Sequence, residues 1–329
     1  NKAATVYRYY GNSTCTIPKT KFNGIIVTTL SKVISARKKD DMLLVDLSDN
    51  IDLVVFDEAH QIIAPQYQSI VDNIVNLNNH SNLIGLTATP GRTWDDPEED
   101  SKLAKYFKRN IVSIETEGDE SPNAMLTREG YLSKIQWRYC ECETPKLNAD
   151  DLQLICRLRE EDEIPSSILE TISTDAVRNT KIVFEVEKLL IEGRTRILLF
   201  ATSVSHAHMM CGLLKIFASK YNCKVDCITG STSKGAREEI IDTFKSMSEE
   251  PHVLCNYGVL TTGFDAPNVD AGVIARPTKS LVLFSQMVGR MIRGPRTPGG
   301  TEDAIIVSVV DIGLPGFKDS YDNWSDVWK

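Results

Sequence analysis

The chain has 329 residues, 42% of them hydrophobic and 25% charged, with a formal net charge of −8. That length suits two domains of ordinary size, and the composition is that of a globular protein with cores to bury. No apolar run approaches the ~18 residues of a membrane span and no signal peptide is visible, so a cytoplasmic protein without membrane partners is expected.

Residues 24–29 read as a strand ending on the hydroxyls of Thr28 and Thr29, and 30–36 as a short helix. The apolar run Leu53-Val54-Val55-Phe56 reads as a buried parallel strand. It delivers Asp57 and Glu58 to a carboxyl end, where open α/β sheets place their ligand chemistry. Asp57 can hold a nucleotide-bound Mg2+ through its water shell, and Glu58 can orient or deprotonate an attacking water. A strand ending in a solvated acidic turn accounts for the same two residues, so the pair alone is only a lead. Residues 70–77 read as a helix and 83–86 as a second buried strand, followed by Thr87-Ala88-Thr89-Pro90.

Between about 116 and 178 the pattern loosens. Acidic runs lie near 115–120 and 160–163, and Gly130-Tyr131-Leu132 leads into an extended segment at 135–139. A linker with minor packing structure is expected there, the alternative being an inserted substrate-gripping element. Beyond it, Ile182, Val183, Val186, Leu189 and Leu190 stripe a helix over 181–192 that Gly193 closes. Residues 196–200, 225–229, 252–256, 271–275 and 304–310 read as strands; 204–221 and 285–291 read as helices. Repeated strand–helix units imply parallel sheets with right-handed crossovers. The eight cysteines lack the paired spacing of a zinc site and read as free thiols of a reducing cytosol.

Four stretches carry a resemblance. Asp57-Glu58-Ala59-His60, the Thr87-Ala88-Thr89 run, Leu260-Thr261-Thr262-Gly263-Phe264-Asp265-Ala266-Pro267 and Gln286-Met287-Val288-Gly289-Arg290-Met291-Ile292-Arg293 follow one another in this order. Together they resemble motifs II, III, V and VI of the superfamily 2 DEAH-type helicases and translocases. The form of the third stretch and the run Ala275-Arg276-Pro277-Thr278-Lys279-Ser280 resemble the type III restriction helicase-subunit and bacterial DNA-repair branch. The resemblance implies two RecA-like parallel-sheet domains in tandem. Residues 1–115 would be the C-terminal part of the first and 179–315 the second, with 116–178 as linker or crossover and 316–329 as a tail.

It also implies roles. Asp57 (the Mg2+ anchor, through water), Glu58, Gln286, Arg290 and Arg293 would be catalytic. The two arginines, three apart on one helix and facing one way, would close on the γ-phosphate. Asp57, Gly263, Asp265, Arg290 and Arg293 would contact ATP, whose phosphates Mg2+ accompanies. His60 would hydrogen-bond across the domain interface to the coupling residues Thr87 and Thr89. Thr28, Thr29, Thr202, Ser203, Thr229, Gly230, Thr261 and Thr262 would grip a nucleic-acid backbone without reading bases, DNA more than RNA.

The acidic balance argues against a surface that is basic throughout, but a local track suffices for phosphate contacts under physiological screening. Lys105, Lys108, Arg109, Arg194, Arg196, Arg290, Arg293 and Arg296 are candidates for it. The family's Gly-x-x-x-x-Gly-Lys-Ser/Thr phosphate loop has no counterpart, since no Gly-Lys dipeptide occurs, and the first residue is Asn1. A first domain lacking its N-terminal, phosphate-loop part is therefore expected, in a chain that hydrolyses no ATP alone. The intact protein is expected to be an ATP-dependent DNA helicase or duplex translocase in repair, restriction or phage defence, with room for a nuclease or regulatory protein partner. The alternatives are an RNA helicase or duplex-RNA-dependent ATPase, and a non-catalytic nucleic-acid-binding scaffold.

Overall fold

A computed structural model describes residues 4–18, 22–40, 42–76, 81–89, 97–116, 118, 120–143, 147–157, 164–259, 265–278 and 280–314. The chain divides into two units, the first holding the described residues up to 89 with 98–111, the second Pro97 and those from 112 to 314.

In the first unit, β1 (Thr5–Tyr9) pairs in parallel with β2 (Gly24–Thr28), and β3 (Leu53–Asp57) with β4 (Asn82–Leu86). These are two separate ladders rather than one sheet. The helices are α1 (Leu30–Arg37), α2 (Leu43–Asn50), α3 (Pro65–Asn76) and α4 (Pro97–Tyr106), with a 3-10 turn at Ala59–Ile63. Side chains alternate across each strand. Ile26 and Val54 turn inward onto Val33, Leu43, Leu44, Leu47, Ile70 and Ile74, and Phe56 packs on Ala59, Ile62, Val71 and Leu103. The opposite face carries Ile25, Val27, Leu53, Val55, Ile84 and Leu86, each between 45% and 59% exposed. Parallel strands are ordinarily covered on both faces, and among the described residues this unit covers one.

The second unit is a six-stranded parallel sheet in the order β5-β10-β9-β6-β8-β7. Its strands are β5 (Lys134–Cys142), β6 (Arg196–Phe200), β7 (Lys224–Ile228), β8 (His252–Asn256), β9 (Ala271–Ile274) and β10 (Asp303–Asp311). The stretch expected as a linker does not behave as one throughout. It contains α5 (Pro122–Arg128), α6 (Ala149–Arg157), α7 (Ser166–Ser173) and β5, which pairs with β10 from Lys134↔Asp303 to Cys142↔Asp311. The cause is alternation along β5, which turns Trp137 and Ile135 to one face of the sheet and buries Cys140 and Cys142 in the other.

One face of the sheet, with Ile197, Leu199, Val253 and Val273, is covered by α8 (Ala176–Ile191) and α9 (Val204–Phe217). The other, with Leu198, Phe200, Leu254 and Ile274, meets Phe244 of α10 (Lys234–Lys245) and Phe284, Met287 and Val288 of α11 (Leu281–Gly289). Gly193 (φ 81°) ends α8 as expected, its N–H bonding Leu190 O at 3.1 Å while Arg194 N–H bonds Leu189 O at 3.0 Å. Among the described residues no helix is long and apolar enough to cross a membrane, and Cys15, Cys140, Cys142, Cys211, Cys223, Cys227 and Cys255 are free thiols.

Candidate functional site

β3 ends on an exposed Asp57 whose Oδ1 accepts the Glu58 N–H at 2.9 Å. Glu58 itself stands in the left-handed region, φ 53° and ψ 52°. An L-residue held there costs about 1–2 kcal/mol, a strain that active sites often retain. The turn drops Ala59 and His60 into the interior, and Gly85 on β4 makes the room. A Cβ at Gly85 would stand 2.8 Å from Ala59 Cβ and 2.5 Å from the Phe107 ring. His60 is buried, its Nδ1 3.2 Å from the Thr87 hydroxyl, 3.5 Å from that of Thr89 and 3.5 Å from Glu58 Oε2. The Thr87 hydroxyl donates to Thr89 O (3.0 Å) and accepts Thr89 N–H (3.1 Å). So Asp57, Glu58, His60, Thr87 and Thr89 form one hydrogen-bonded corner inside the first unit. The His60 contact expected across an interface is thus local to this unit, because β3 and β4 are adjacent. An exposed carboxylate at a strand end, with one oxygen already oriented, fits a hard cation held through its waters.

The arginine segment departs from expectation. α11 stops at Gly289; Arg290 is its C-cap, and Arg293 lies beyond, bridged in antiparallel fashion to Leu132. The two arginines therefore do not share a helix face. The helix closes because Met291 turns into the core, where its sulfur fills the space a Cβ on Gly272 would occupy. Arg293 Nε lies 3.4 Å from Asp265 Oδ1, an exposed pair worth about 0–1 kcal/mol. Gln286 is half-buried on α11. Thr301 N–H bonds Arg293 O (2.8 Å) and the Ser133 hydroxyl bonds it too (3.0 Å), so this segment sits where β5 and β10 begin.

Thr202, Ser203, Thr229 and Gly230 lie at the other end of that sheet, and two of them need correction. Thr202 is fully buried and its hydroxyl is directed at His206 Nδ1 (3.0 Å), so it has no surface with which to meet a phosphate. Ser203 caps α9 and touches the Ser205 hydroxyl at 2.9 Å. Thr229 is likewise buried, 2.9 Å from the Ser231 hydroxyl, beside an exposed Gly230. Thr28 and Thr29 are exposed at the end of β2, Thr29 capping α1. Thr261, Thr262 and Gly263 lie outside the described residues. Two candidates for a basic track are structural instead. Arg194 pairs with Asp303 (2.5 Å), and the buried Arg196 donates to the carbonyls of Phe244, Thr195, Glu250, Ser246 and Ser248 at 2.6–2.9 Å.

Residues 4–92 match the family described as "Type III restriction enzyme, res subunit", and residues 181–295 match "Helicase conserved C-terminal domain". The chain thus joins a region of the restriction-subunit type to a helicase C-terminal region. The chain is 28% identical over 274 residues to "Putative ATP-dependent helicase IRC3" of Saccharomyces cerevisiae, covering 82% of the chain and 35% of that protein. Its fold is similar to "a putative HsdR subunit of a type I restriction enzyme from Vibrio vulnificus YJ016", TM-score 0.62 at 18% identity, covering 92% of this chain and 50% of that one. It is also similar to the "DUF1998 helicase MrfA bound to DNA and AMPPNP", TM-score 0.58 at 14% identity, covering 94% of this chain and 38% of that one. The chain thus spans well under two thirds of each, and its neighbours are tandem RecA-like helicase domains.

A buried network that no motif announces stands behind the hydroxyl edge. Thr202 N–H donates to His206 Nδ1 (3.1 Å), which leaves Nε2–H to donate to Asn179 Oδ1 (3.0 Å). Burial, and then the neighbouring Arg178 charge, push the His206 pKa down to about 3, so the ring is neutral. Arg178 donates to both Asp311 oxygens (2.6 and 2.9 Å) and to Ala275 O (2.6 Å), entirely buried. Nothing local in the sequence marks these residues; Arg178 and Asp311 are 133 positions apart and meet only because α8 crosses the ends of β9 and β10.

Proposed function

We propose that the intact protein is an ATP-dependent DNA helicase or duplex-DNA translocase, serving repair, restriction or phage defence. The observation that carries the reading is the corner in which His60 joins Glu58 to Thr87 and Thr89. In it, a residue that would orient the attacking water is joined through His60 to a loop able to report its state. Asp57 would hold Mg2+ through water, Glu58 would place the nucleophile, and Arg290 and Arg293 would offset the charge that builds on the transferred phosphoryl group. Gln286 and Asp265 keep their proposed places beside those arginines, and Thr28, Thr29, Ser203 and Gly230 that of backbone contacts. DNA is favoured over RNA by the similarity to a DNA-bound helicase and to restriction-enzyme subunits.

The test is ATP turnover by the intact protein with single-stranded DNA, duplex DNA and RNA of matched sequence. Stimulation by DNA at least equal to that by RNA is expected, because none of the proposed contacts requires a 2′-hydroxyl. Stimulation by RNA alone would replace the DNA reading with the RNA one, and no stimulation by any polynucleotide would leave only the scaffold.

A further inference from the structure

Between β5 and α8 the second unit holds a cavity of about 420 Å3, a volume typical of small-molecule sites. Among the described residues β5 is an edge of its sheet, and α8 lies over the face on which Cys140 is buried. Lys181, Phe184, Lys188 and Ile191 recur three or four apart, which sets them along one side of α8, and all four line the cavity. Phe184 and Ile191 are 48% and 66% exposed there, two large apolar side chains left beside an open space. β5 contributes Tyr139, Cys140 and Glu141 to the same lining.

We propose that Cys140 is a covalent modification site, at which this cavity receives an α,β-unsaturated carbonyl compound with an apolar tail. Three observations support it. First, a nucleophile and a place for its reactant coincide: Cys140 is only 6% exposed, yet it lines the cavity. Second, its surroundings favour the thiolate, the form that reacts. Cys142, two residues along the same face of β5, donates its S–H to the Cys140 sulfur. That bond, with the Lys181 and Arg178 charges, outweighs burial and Glu185 and holds the Cys140 pKa below the ordinary thiol value. The same bond, and then burial, push Cys142 up, so it stays the donor. Cys223 and Cys227 are less buried than Cys140, but desolvation pushes them up to about 11 and about 12. Third, the lining suits both parts of the reactant. Phe184 and Ile191 offer an apolar wall to the tail. Of the two lysines, Lys188 is held by Glu185 (2.7 Å), while Lys181 gives one of its three donors to Glu141 O (2.9 Å) and is the cation left to face an anion. In the reaction the Cys140 proton goes to solvent and its sulfur bonds the β-carbon. The π electrons of the carbon–carbon double bond pass to the carbonyl as an enolate, which takes a proton from water. The product is a thioether, and nothing is oxidised or reduced overall.

The test treats this chain with methyl vinyl ketone and, separately, with pentyl vinyl ketone, which share one reacting group and differ only in the tail. Adducts are located by peptide mass mapping, and rates are divided by those of N-acetylcysteine. Cys140 should react ahead of Cys15, Cys223 and Cys227 despite their greater exposure. The pentyl ketone should be preferred at least ~10-fold after normalisation, because each methylene buried in the cavity favours leaving water, and its rate should saturate with concentration. The ionisable neighbours of Cys140 are Cys142 and Glu141 on its own strand, Arg178, Lys181, Glu185 and Lys188 on α8, and Asp311 on β10 beside Cys142. Its reaction should reach half-maximal rate at lower pH than that of N-acetylcysteine. Lys181→Met should move that midpoint up, and Lys181→Arg should restore it. Cys140→Ser should abolish the adduct. Phe184→Ala, at an exposed helix position, should remove most of the tail preference while the methyl ketone still reacts. Equal normalised rates for the two ketones would overturn the proposal. So would labelling of Cys15 or Cys223 ahead of Cys140, an adduct that persists in Cys140→Ser, or a Phe184→Ala chain that keeps the preference.

Discussion

Glu58 is where the proposed chemistry and conformational strain meet in this protein. Its left-handed backbone (φ 53°) is a conformation glycine adopts freely and other residues resist. Glu58→Gly is therefore expected to raise the stability of the first unit by about 0.5–1 kcal/mol while removing ATP turnover, seen as a higher melting temperature in an inactive protein. His60→Ala removes the side chain that links Glu58 to Thr87 and Thr89. It should retain basal ATP turnover and lose most of its stimulation by DNA, measured as the ratio of the two rates. In the second unit, His206 has a pKa of about 3, below the ordinary value near 6.5 of an unfolded histidine. Between those values the unfolded chain binds more protons, so this contribution to stability is complete above about pH 6.5 and lost as pH falls toward 3. The loss approaches ~1.4 kcal/mol per pH unit. His252, pushed down to about 4 by burial in spite of Asp226, adds to it over the upper part of the same window. Thermal melts from about pH 7 to 5 should therefore fall less steeply for His206→Gln than for wild type, whatever the variant's absolute stability.

Among the elements, the strands legible in the sequence were those with runs of β-branched and large apolar residues. Leu53 to Phe56 and Arg196 to Phe200 formed where expected, as β3 and β6. Three elements were less legible, each because its cause is tertiary. β5 lay in a stretch whose acidic runs and prolines resemble a linker, and only pairing with β10 along its whole length makes it a strand. α2 contributes just Leu43, Leu44 and Leu47 to the core and offers too short a stripe to stand out. α11 ends early because Met291 is drawn beneath Gly272, which the heptad-like spacing of Gln286, Arg290 and Arg293 does not reveal. The corner around Glu58 was legible as a set of residues; its strain was not, since a φ angle leaves no mark in composition. The fit of β3 against β4 gives a direct check. Gly85→Ala puts a methyl 2.5 Å from the Phe107 ring and 2.8 Å from Ala59, and should destabilise the first unit by about 1–3 kcal/mol in denaturant melts. Breaking the Arg178–Asp311 pair by Asp311→Asn leaves a buried guanidinium uncompensated and should cost the second unit about 3–5 kcal/mol.

For the molecule as a whole, the two units differ in how completely they are clothed. Among the described residues the second covers both faces of its sheet, while the first leaves a row of aliphatic side chains, Ile25 to Leu86, open on one face. Such a face attracts other apolar surface. Replacing Val55 and Ile84 together by Thr should lower binding of an apolar dye without unfolding the unit. The chemistry is distributed as unevenly as the cores. The corner that would handle water and metal is complete within the first unit, while the second holds an arginine segment at one end of its sheet and a hydroxyl-rich edge at the other. The claim that unites them is that ATP hydrolysis at Glu58 drives movement on DNA. The measurement that tests it most directly is DNA-stimulated ATP turnover by the intact protein, wild type against Glu58→Gln. The account predicts a loss of at least ~10²-fold with nucleotide binding retained, the range expected when a general base is removed. Turnover that survives the substitution, or that is indifferent to DNA in the wild type, would contradict it.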